Sequence, residues 1–405
     1  MHNVVMLSPG FPLEMAYFTR ALAEVGATVI GVGDQPVDLL PSEARAALAH
    51  YEHVSLADED AVLAALRGLT RHAGIDQVEC LWEPYMVLAA RIREELGLPG
   101  MTVAQTLPFR DKELIKQVLD GAGIRTPRHA STATFAGIYA AAEQIGYPLI
   151  IKPIAGAGSA DTYRVDSLAE LENVLPMIGH VETVSVEEFI EAEEFTYDTI
   201  CGAGDILYEN VSWYRPRPLQ ARSHEWISPQ TIALRDVEAP HLEPGRRLGR
   251  AVLDAMGFRD GFTHMEWYRK ADGEAVFGEI GARPPGARTV DLMNWANDLD
   301  LFTGWAEAVC HGRLSQPVGR LYTAASIFKR AQGQGRIQRI EGLGHLMAEY
   351  GEHIVCVDLL PLGAPRRDWL QTLISDGMVV VRHPDLDATL DIADRVCTDL
   401  QLYAG

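Results

Sequence analysis

The sequence predicts a mixed fold, parallel α/β at its N-terminal end and α+β beyond it. Three observations carry that reading. Apolar strand-like runs alternate with helical patterns over roughly the first hundred residues, as in a parallel sheet covered by helices. At 405 residues the chain exceeds what one small core can hold, so several subdomains are expected. An Asp272-Gly273 pair between two apolar runs marks a hairpin, hence antiparallel structure, in the second half.

The elements follow in order. Residues 3–7 read as a buried strand, Ser8-Pro9-Gly10 breaks it, and 13–25 read as a helix. Ala27 to Val32 is a second strand, ending at Gly33-Asp34. A helix near 58–71 and a strand at 77–82, ending in Glu83-Pro84, make the next pair. Gly31-Val32-Gly33 is a strand end and not a dinucleotide fingerprint, since it follows the second strand and lacks the third glycine. Asp34 and Glu83 lie where strand C-termini open into a crevice, which makes them candidates for substrate contact. Leu98-Pro99-Gly100 closes this N-terminal α/β domain, residues 1–105. Residues 106–195 read as a small α+β unit. It has a helix over about 110–120 stopped by Gly121-Ala122-Gly123, helices near 134–145 and 167–177, a strand bearing Lys152, and a strand at 184–190. Residues 196–315 hold strands, a polar loop near 215–232, a helix near 241–256, the hairpin and a closing helix. Residues 316–405 read as a separate C-terminal α+β appendage, with a last strand–helix pair between Val379 and Leu402.

Composition narrows the function classes. The formal charge is −21, so the long-range field repels nucleic acid and anionic membrane, and neither is expected as a partner. An anionic substrate would need a local cluster of cations or a metal. The five cysteines are widely spaced and form no C-x-x-C, so reduced thiols in a cytoplasmic protein are expected, with no disulfide framework or zinc site. No 18-residue apolar run is present, and Met1 to Leu7 is too short for a signal peptide and lacks its basic leader.

Only five lysines occur, and one of them, Lys152, interrupts the apolar run Leu149-Ile150-Ile151. A charged lysine inside a strand is costly when unpaired. Pro153 ends the strand, so the ammonium emerges beside the loop from Ala155 to Ala160, which holds Gly156, Gly158 and Ser159 and no bulky residue. Such a loop lets backbone N–H groups approach phosphate oxygens. A plain turn with a surface lysine is the simpler alternative. Farther on, Glu187-Glu188-Phe189-Ile190 leads to Glu194. An extended hinge of this kind offers N–H and C=O groups to a flat heterocycle, and a carboxylate seven residues on can accept two hydroxyls. A solvated acidic edge is the competing reading.

In the hairpin, Asp272 and Gly273 fit a two-residue type I′ turn in which Ala271 pairs with Glu274. Counting back, Glu266 falls opposite Glu279. Facing carboxylates repel by roughly 0.2–1 kcal/mol even on a wet face. A cation between them removes that penalty, and hard oxygen ligands suit Mg²⁺. His264 shares the face of Glu266; it reads equally as a substrate contact or a hydrogen-bonded core histidine. The loop carrying Arg215, Arg217, Arg222 and His224 gathers cations in an acidic chain, and reads either as an anion clamp or as a solvated loop.

The order and spacing of these stretches resemble the ATP-grasp superfamily over about residues 106–310, in its carboxylate–amine ligase and biotin-carboxylase-like branch. The resemblance implies an N-terminal pre-ATP-grasp domain, a lid subdomain (106–195), a catalytic subdomain (196–315) and a C-terminal piece. It implies that Lys112 and Lys152 hold the α and β phosphates of ATP under a lid at Gly156, Gly158 and Ser159. Glu187 to Ile190, with Glu188, would border adenine, and Glu194 the ribose. Glu266 and Glu279 would hold Mg²⁺ or Mn²⁺. Arg283, four residues after Glu279, would neutralise an acyl phosphate. Many members carry asparagine where this chain has Gly281, which implies a looser metal. Arg288 reads either as a substrate-carboxylate contact or as a helix start. The implied activity joins a small-molecule carboxylate to an amine, with amino acids as the expected substrates. A bicarbonate-activating enzyme and a non-catalytic ATP-binding protein are the alternatives. A homodimer is expected from the resemblance alone.

Overall fold

The computed structural model describes residues 2–70, 74–154, 161–372 and 374–405. Its first sheet is parallel, with β1 (His2–Leu7), β2 (Ala27–Gly33), β3 (Leu48–His53) and β4 (Gln77–Glu79) in the order β3-β2-β1-β4. Val4 and Met6 face helix Met15–Glu24, while Val5 and Leu7 face helices Glu59–Thr70 and Met86–Leu96. Burial on both faces explains the unbroken apolar run in β1. Phe18 of the first helix meets Phe302 and Trp305 of helix Leu301–His311 edge-on, with ring centroids 4.9 and 5.2 Å apart, and so fastens this domain to the rest. Strand β4 stops three residues earlier than expected, and Glu83 opens a short 3-10 turn beyond it.

The second sheet is antiparallel, with β5 (His129–Thr132), β6 (Leu149–Pro153), β7 (Tyr163–Val165) and β8 (Val184–Glu188) in the order β5-β8-β6-β7. Leu149, Ile151, Val184 and Val186 pack under helices Phe135–Ile145 and Leu168–Ile178. Strand alternation therefore turns Lys152, Ser185 and Glu187 to the opposite face, where Lys152 is the register partner of Ser185.

The third sheet comprises β9 (Glu193–Gly202), β10 (Asp205–Asn210), β11 (Ser212–Arg215), β12 (Gln230–Ala233), β13 (Gly261–Arg269), β14 (Ala275–Gly281) and β15 (Thr323–Phe328). After β16 (Gln332–Gly333) and β17 (Ile337–Glu341) come β18 (Ile354–Leu359), β19 (Gly377–His383) and β20 (Gln401–Ala404). The order is β14-β13-β9-β11-β12-β15-β19-β18, with β10 on β9, while β16, β20 and β17 form a small sheet. The expectation of a separate C-terminal appendage is thus corrected. Strands β15, β19 and β18 extend the sheet that holds β13 and β14, and Ile327, Val379 and Val381 share one apolar core with Ile232, Trp267 and Phe277. No described helix is long and apolar enough to cross a membrane.

Candidate active site

The site is built on the β13–β14 hairpin. Lys270 N donates to Glu274 O at 3.0 Å and Gly273 N to Lys270 O at 2.9 Å. Arg269 pairs with Ala275 and Trp267 with Phe277. The loop therefore has three residues, closed by Gly273 in the left-handed region at φ +87°, and the two-residue turn is corrected. That loop alone would slip the register and set Glu266 opposite Gly278. A bulge at Gly278 takes up the extra residue, so Glu266 does pair with Glu279 and His264 with Gly281. It also changes the exposed face. In a regular strand Phe277 and Glu279 would point the same way. Here Phe277 enters the core beside Trp267, and Glu279 shares the face of Glu266.

Each of the two acids has fixed neighbours. Lys112 Nζ lies 3.4 Å from Glu279 Oε2. Burial pushes the Glu279 carboxyl up, but Lys112 and Lys152 outweigh it and hold it below its ordinary value. Tyr214 donates to Glu266 Oε1 at 3.4 Å, and His264 Nε2 lies 3.7 Å from the same oxygen. The other nitrogen of His264 meets Asp198 Oδ1 at 2.6 Å. Burial pulls the imidazole down, yet Asp198 and then Glu266 raise it to about 9, so His264 is an imidazolium between two carboxylates.

Lys112 is the first residue of helix Lys112–Gly121, whose cap Asp111 accepts from Glu113 N and Leu114 N at 2.8 and 2.9 Å. A cation at a helix N-terminus opposes the macrodipole, so helix stability does not explain its position. Lys112 N also donates to Ile154 O at 3.4 Å, which ties the helix start to the end of β6. Lys152 Nζ sits 3.0 Å from Glu187 Oε2, and Lys116, one turn after Lys112, pairs with the other oxygen of Glu187. The Glu187 carboxylate thus lies beneath the lysines, and so enclosed a carboxylate requires cations. Glu188 is engaged by Arg125 at 3.1 Å and by Arg128 N at 3.1 Å.

Glu83 comes to the same cleft from the N-terminal domain. One of its oxygens takes Arg283 Nε at 2.6 Å and the other is paired with Arg110. Glu83, Arg110, Lys112, His264, Glu279 and Arg283 line one cavity. On the far side, Arg217 Nε donates to Glu194 at 3.0 Å and its Nη1 to Ile190 O at 2.8 Å, with its guanidinium 5.0 Å from the ring centres of Phe189 and Tyr268. Burial first, then the charge of Glu266, pushes the Glu194 carboxyl up to about 7 in spite of Arg217.

Two expected substrate contacts are not brought in. Arg215 makes a two-pronged pair with Asp394, at 2.9 and 2.8 Å, because β11 turns it toward helix Leu386–Asp399. Arg288 starts helix Thr289–Asn297 and is held by Asp291 at 3.0 Å and Asp358 at 2.7 Å. The helix-start reading of Arg288 is therefore the one observed. Asp34 accepts from Leu56 N at 2.6 Å, a loop contact. Gly156, Gly158 and Ser159 lie outside the described residues. Sequence reasoning missed Lys116, Arg110, Asp198 and Tyr214, and left Arg217 open between an anion clamp and a solvated loop. A lysine four residues after Lys112 was a visible signal. Asp198 had none, since its pairing with His264 depends on the β9–β13 register.

Among the described residues no three His, Cys, Asp or Glu side chains gather to hold a metal unaided. Glu266 and Glu279 nonetheless fit Mg²⁺ or Mn²⁺. Mg²⁺ is held by one or two carboxylates together with water and substrate phosphate oxygens, and two ionisable acids face each other here on the side that carries Lys112.

Comparison with known proteins adds three findings. Residues 20–100 match the ATP-grasp N-terminal domain family. The chain is 27% identical over 268 residues to a Bacillus subtilis L-arginine-specific L-amino acid ligase, a match covering 62% of this chain and 64% of that protein, so it spans just under two thirds of that relative. It is 26% identical over 312 residues to a Corynebacterium efficiens formate-dependent phosphoribosylglycinamide formyltransferase, covering 71% and 76%. In fold it resembles an L-amino acid ligase from Bacillus licheniformis, with a TM-score of 0.78 and 19% identity over 100% of this chain and 99% of that one.

Proposed function

Because this chain belongs to the ATP-grasp superfamily, we propose that it is an ADP-forming ligase that joins a small-molecule carboxylate to an amine. One observation carries the reading: Glu266 is register-paired with Glu279, which stands 3.4 Å from Lys112 and lines one cavity with it and Arg283. Lys112 and Lys152 are the phosphate cations, and Glu194 is the ribose acceptor. A divalent ion held by Glu266 and Glu279 would supply charge neutralisation on the phosphates.

The chemistry needs no protein nucleophile. A substrate carboxylate oxygen attacks the γ-phosphorus, the bond to the β-phosphate oxygen breaks, and ADP leaves. The amine then attacks the acyl carbon, the C–O bond to phosphate breaks, and the amine proton is lost as phosphate departs. Arg283 offers a fixed guanidinium to the negative oxygen that develops in each step. Asp198 and His264 hold Glu266 in place. The named amino acid ligases among the relatives favour amino acids for both substrates.

The test is release of ADP and phosphate from Mg-ATP across amino acids, singly and in pairs, with a bicarbonate arm and mass spectrometry of products. Release that needs both an acid and an amine, with a product lighter than their sum by one water, supports the ligase. Stimulation by bicarbonate alone overturns it in favour of carboxylate transfer. ATP binding without turnover in any arm favours the non-catalytic reading.

A further inference from the structure

We infer that Lys116 is a positioning residue: it neutralises Glu187 so that Lys152 can leave that carboxylate for a phosphate. The inference rests on the reading of Lys152 as a phosphate ligand. Its basis is a buried triad with more cations than anions. Lys116 is 1% exposed, Glu187 5% and Lys152 13% at their side chains. Glu187 Oε1 takes Lys116 and also the Ser185 hydroxyl at 2.9 Å, while Oε2 takes Lys152 at 3.0 Å. Lys116 in turn donates to Ser185 Oγ at 3.3 Å.

The two lysines are not equivalent. Lys116, 1% exposed, is enclosed between its helix and β8. Lys152, 13% exposed, stands one residue from the end of β6. Burial pulls the Lys116 ammonium down, whereas at Lys152 the charges of Glu187 and Glu279 overcome burial and raise it. Were Lys152 the sole counter-ion of Glu187, moving it to a phosphate would strand an enclosed carboxylate, an unfavourable state. With Lys116 in place, Glu187 stays paired after Lys152 departs. The same helix carries Lys112 on Glu279, so one rigid element sets the counter-charges on both sides of the cleft.

The test is Mg-ATP affinity by calorimetry for wild type, Lys116→Met, Lys116→Arg and the double variant Lys116→Met/Glu187→Gln, each checked for folding by circular dichroism. Lys116→Met should weaken ATP about ten-fold or more, because Lys152 is then locked on Glu187. The double variant should return to within about three-fold of wild type, since no carboxylate competes for Lys152. Lys116→Arg should stay near wild type. A double variant as weak as the single one, or a folded Lys116→Met that binds ATP normally, overturns the inference. A wild-type chain that binds no ATP refutes the proposed function itself. Should Lys116→Met not fold, [ε-¹³C]lysine NMR of the wild type decides, because five lysines give a resolvable spectrum. Added nucleotide should move the Lys152 signal and leave Lys116 in place. Equal movement of both, or none at Lys152, overturns it.

Discussion

The bulge at Gly278 can be tested with a single methyl group. A Cβ there would stand 2.8 Å from the Glu266 carbonyl oxygen and 3.1 Å from its carbon. Non-bonded heavy atoms prefer about 3.5 Å or more, so β13 and β14 must part by roughly half an ångström in Gly278→Ala. The obstructing atoms are backbone, and no side chain can swing aside. Overpacking of this kind costs about 1–3 kcal/mol. The functional effect should be larger, because the parting falls between the two carboxylates proposed to hold the metal. Mg²⁺ demands near-octahedral geometry at about 2.0–2.1 Å. A misplacement of about 1 Å can cost a hundred-fold in rate, so half of that predicts about ten-fold. The assay is ADP release against Mg²⁺ concentration, together with a urea melt. Gly344→Ala is the control, since nothing lies within 4 Å of its added methyl. A Gly278→Ala protein that loses stability yet keeps the wild-type Mg²⁺ dependence and rate would refute the link between bulge and metal pair.

Three further outcomes are expected. Gly281→Asn should lower kcat without tightening Mg²⁺, because its Cβ would press on Arg283 Cγ at 3.3 Å; kcat and the Mg²⁺ half-saturation point report the two effects separately. Glu194, raised from its ordinary value to about 7, stabilises the ligand-free fold fully below about pH 4.5, and that contribution is lost as pH rises through 7. Urea melts at pH 5 and pH 8 should show the fall, and Glu194→Gln should flatten it. Arg215→Ala and Arg288→Ala should leave ATP affinity within about two-fold and cost less than about 1 kcal/mol in urea melts, since both arginines serve partly exposed ion pairs.

How much of this was legible in the sequence depended on the range of the interaction. The parallel sheet, the lysine strand and the hairpin follow from period and turn chemistry, which are local. The facing of Glu266 and Glu279 was reached by a count whose two errors cancelled: the loop is one residue longer, and the bulge restores the register. A glycine four places after Glu274, the first residue beyond the hairpin loop, gives no reading of its own, because bulges respond to the core that Phe277 must enter. The roles of Arg215 and Arg217 show the opposite limit. Two residues apart, on a strand end and the turn after it, they pair with different elements, Arg215 with Asp394 and Arg217 with Glu194, and composition alone could not divide them. The ion pairs of Glu187 were not legible because its two lysines come from a helix and a strand separated in sequence by the whole of β5 and helix Phe135–Ile145. The C-terminal strands were misjudged for a similar reason, since the long-range register of β12 on β15 and a shared apolar core join them to the sheet of β13 and β14.

The charges of the cleft constrain which form of nucleotide it takes. In a chain of net charge −21, Lys112, Lys116, Lys152, Arg110, Arg283 and the His264 imidazolium converge on Glu83, Glu187, Asp198, Glu266 and Glu279. The cations are nearly all occupied by protein carboxylates, so a bare triphosphate would meet Glu266 and Glu279 with little left to neutralise it. Like charges at close range in a partly buried site repel strongly. A divalent ion reverses the sign at that pair, so ATP and metal should bind as one unit. ATP in EDTA should then bind at least about ten-fold more weakly than Mg-ATP, a difference of about 1.4 kcal/mol. Glu279→Gln separates the contributions: removal of one carboxylate should strengthen metal-free ATP while abolishing turnover. If Glu279→Gln instead weakens metal-free ATP, Glu279 acts by positioning Lys112, and repulsion is not what makes binding depend on the metal.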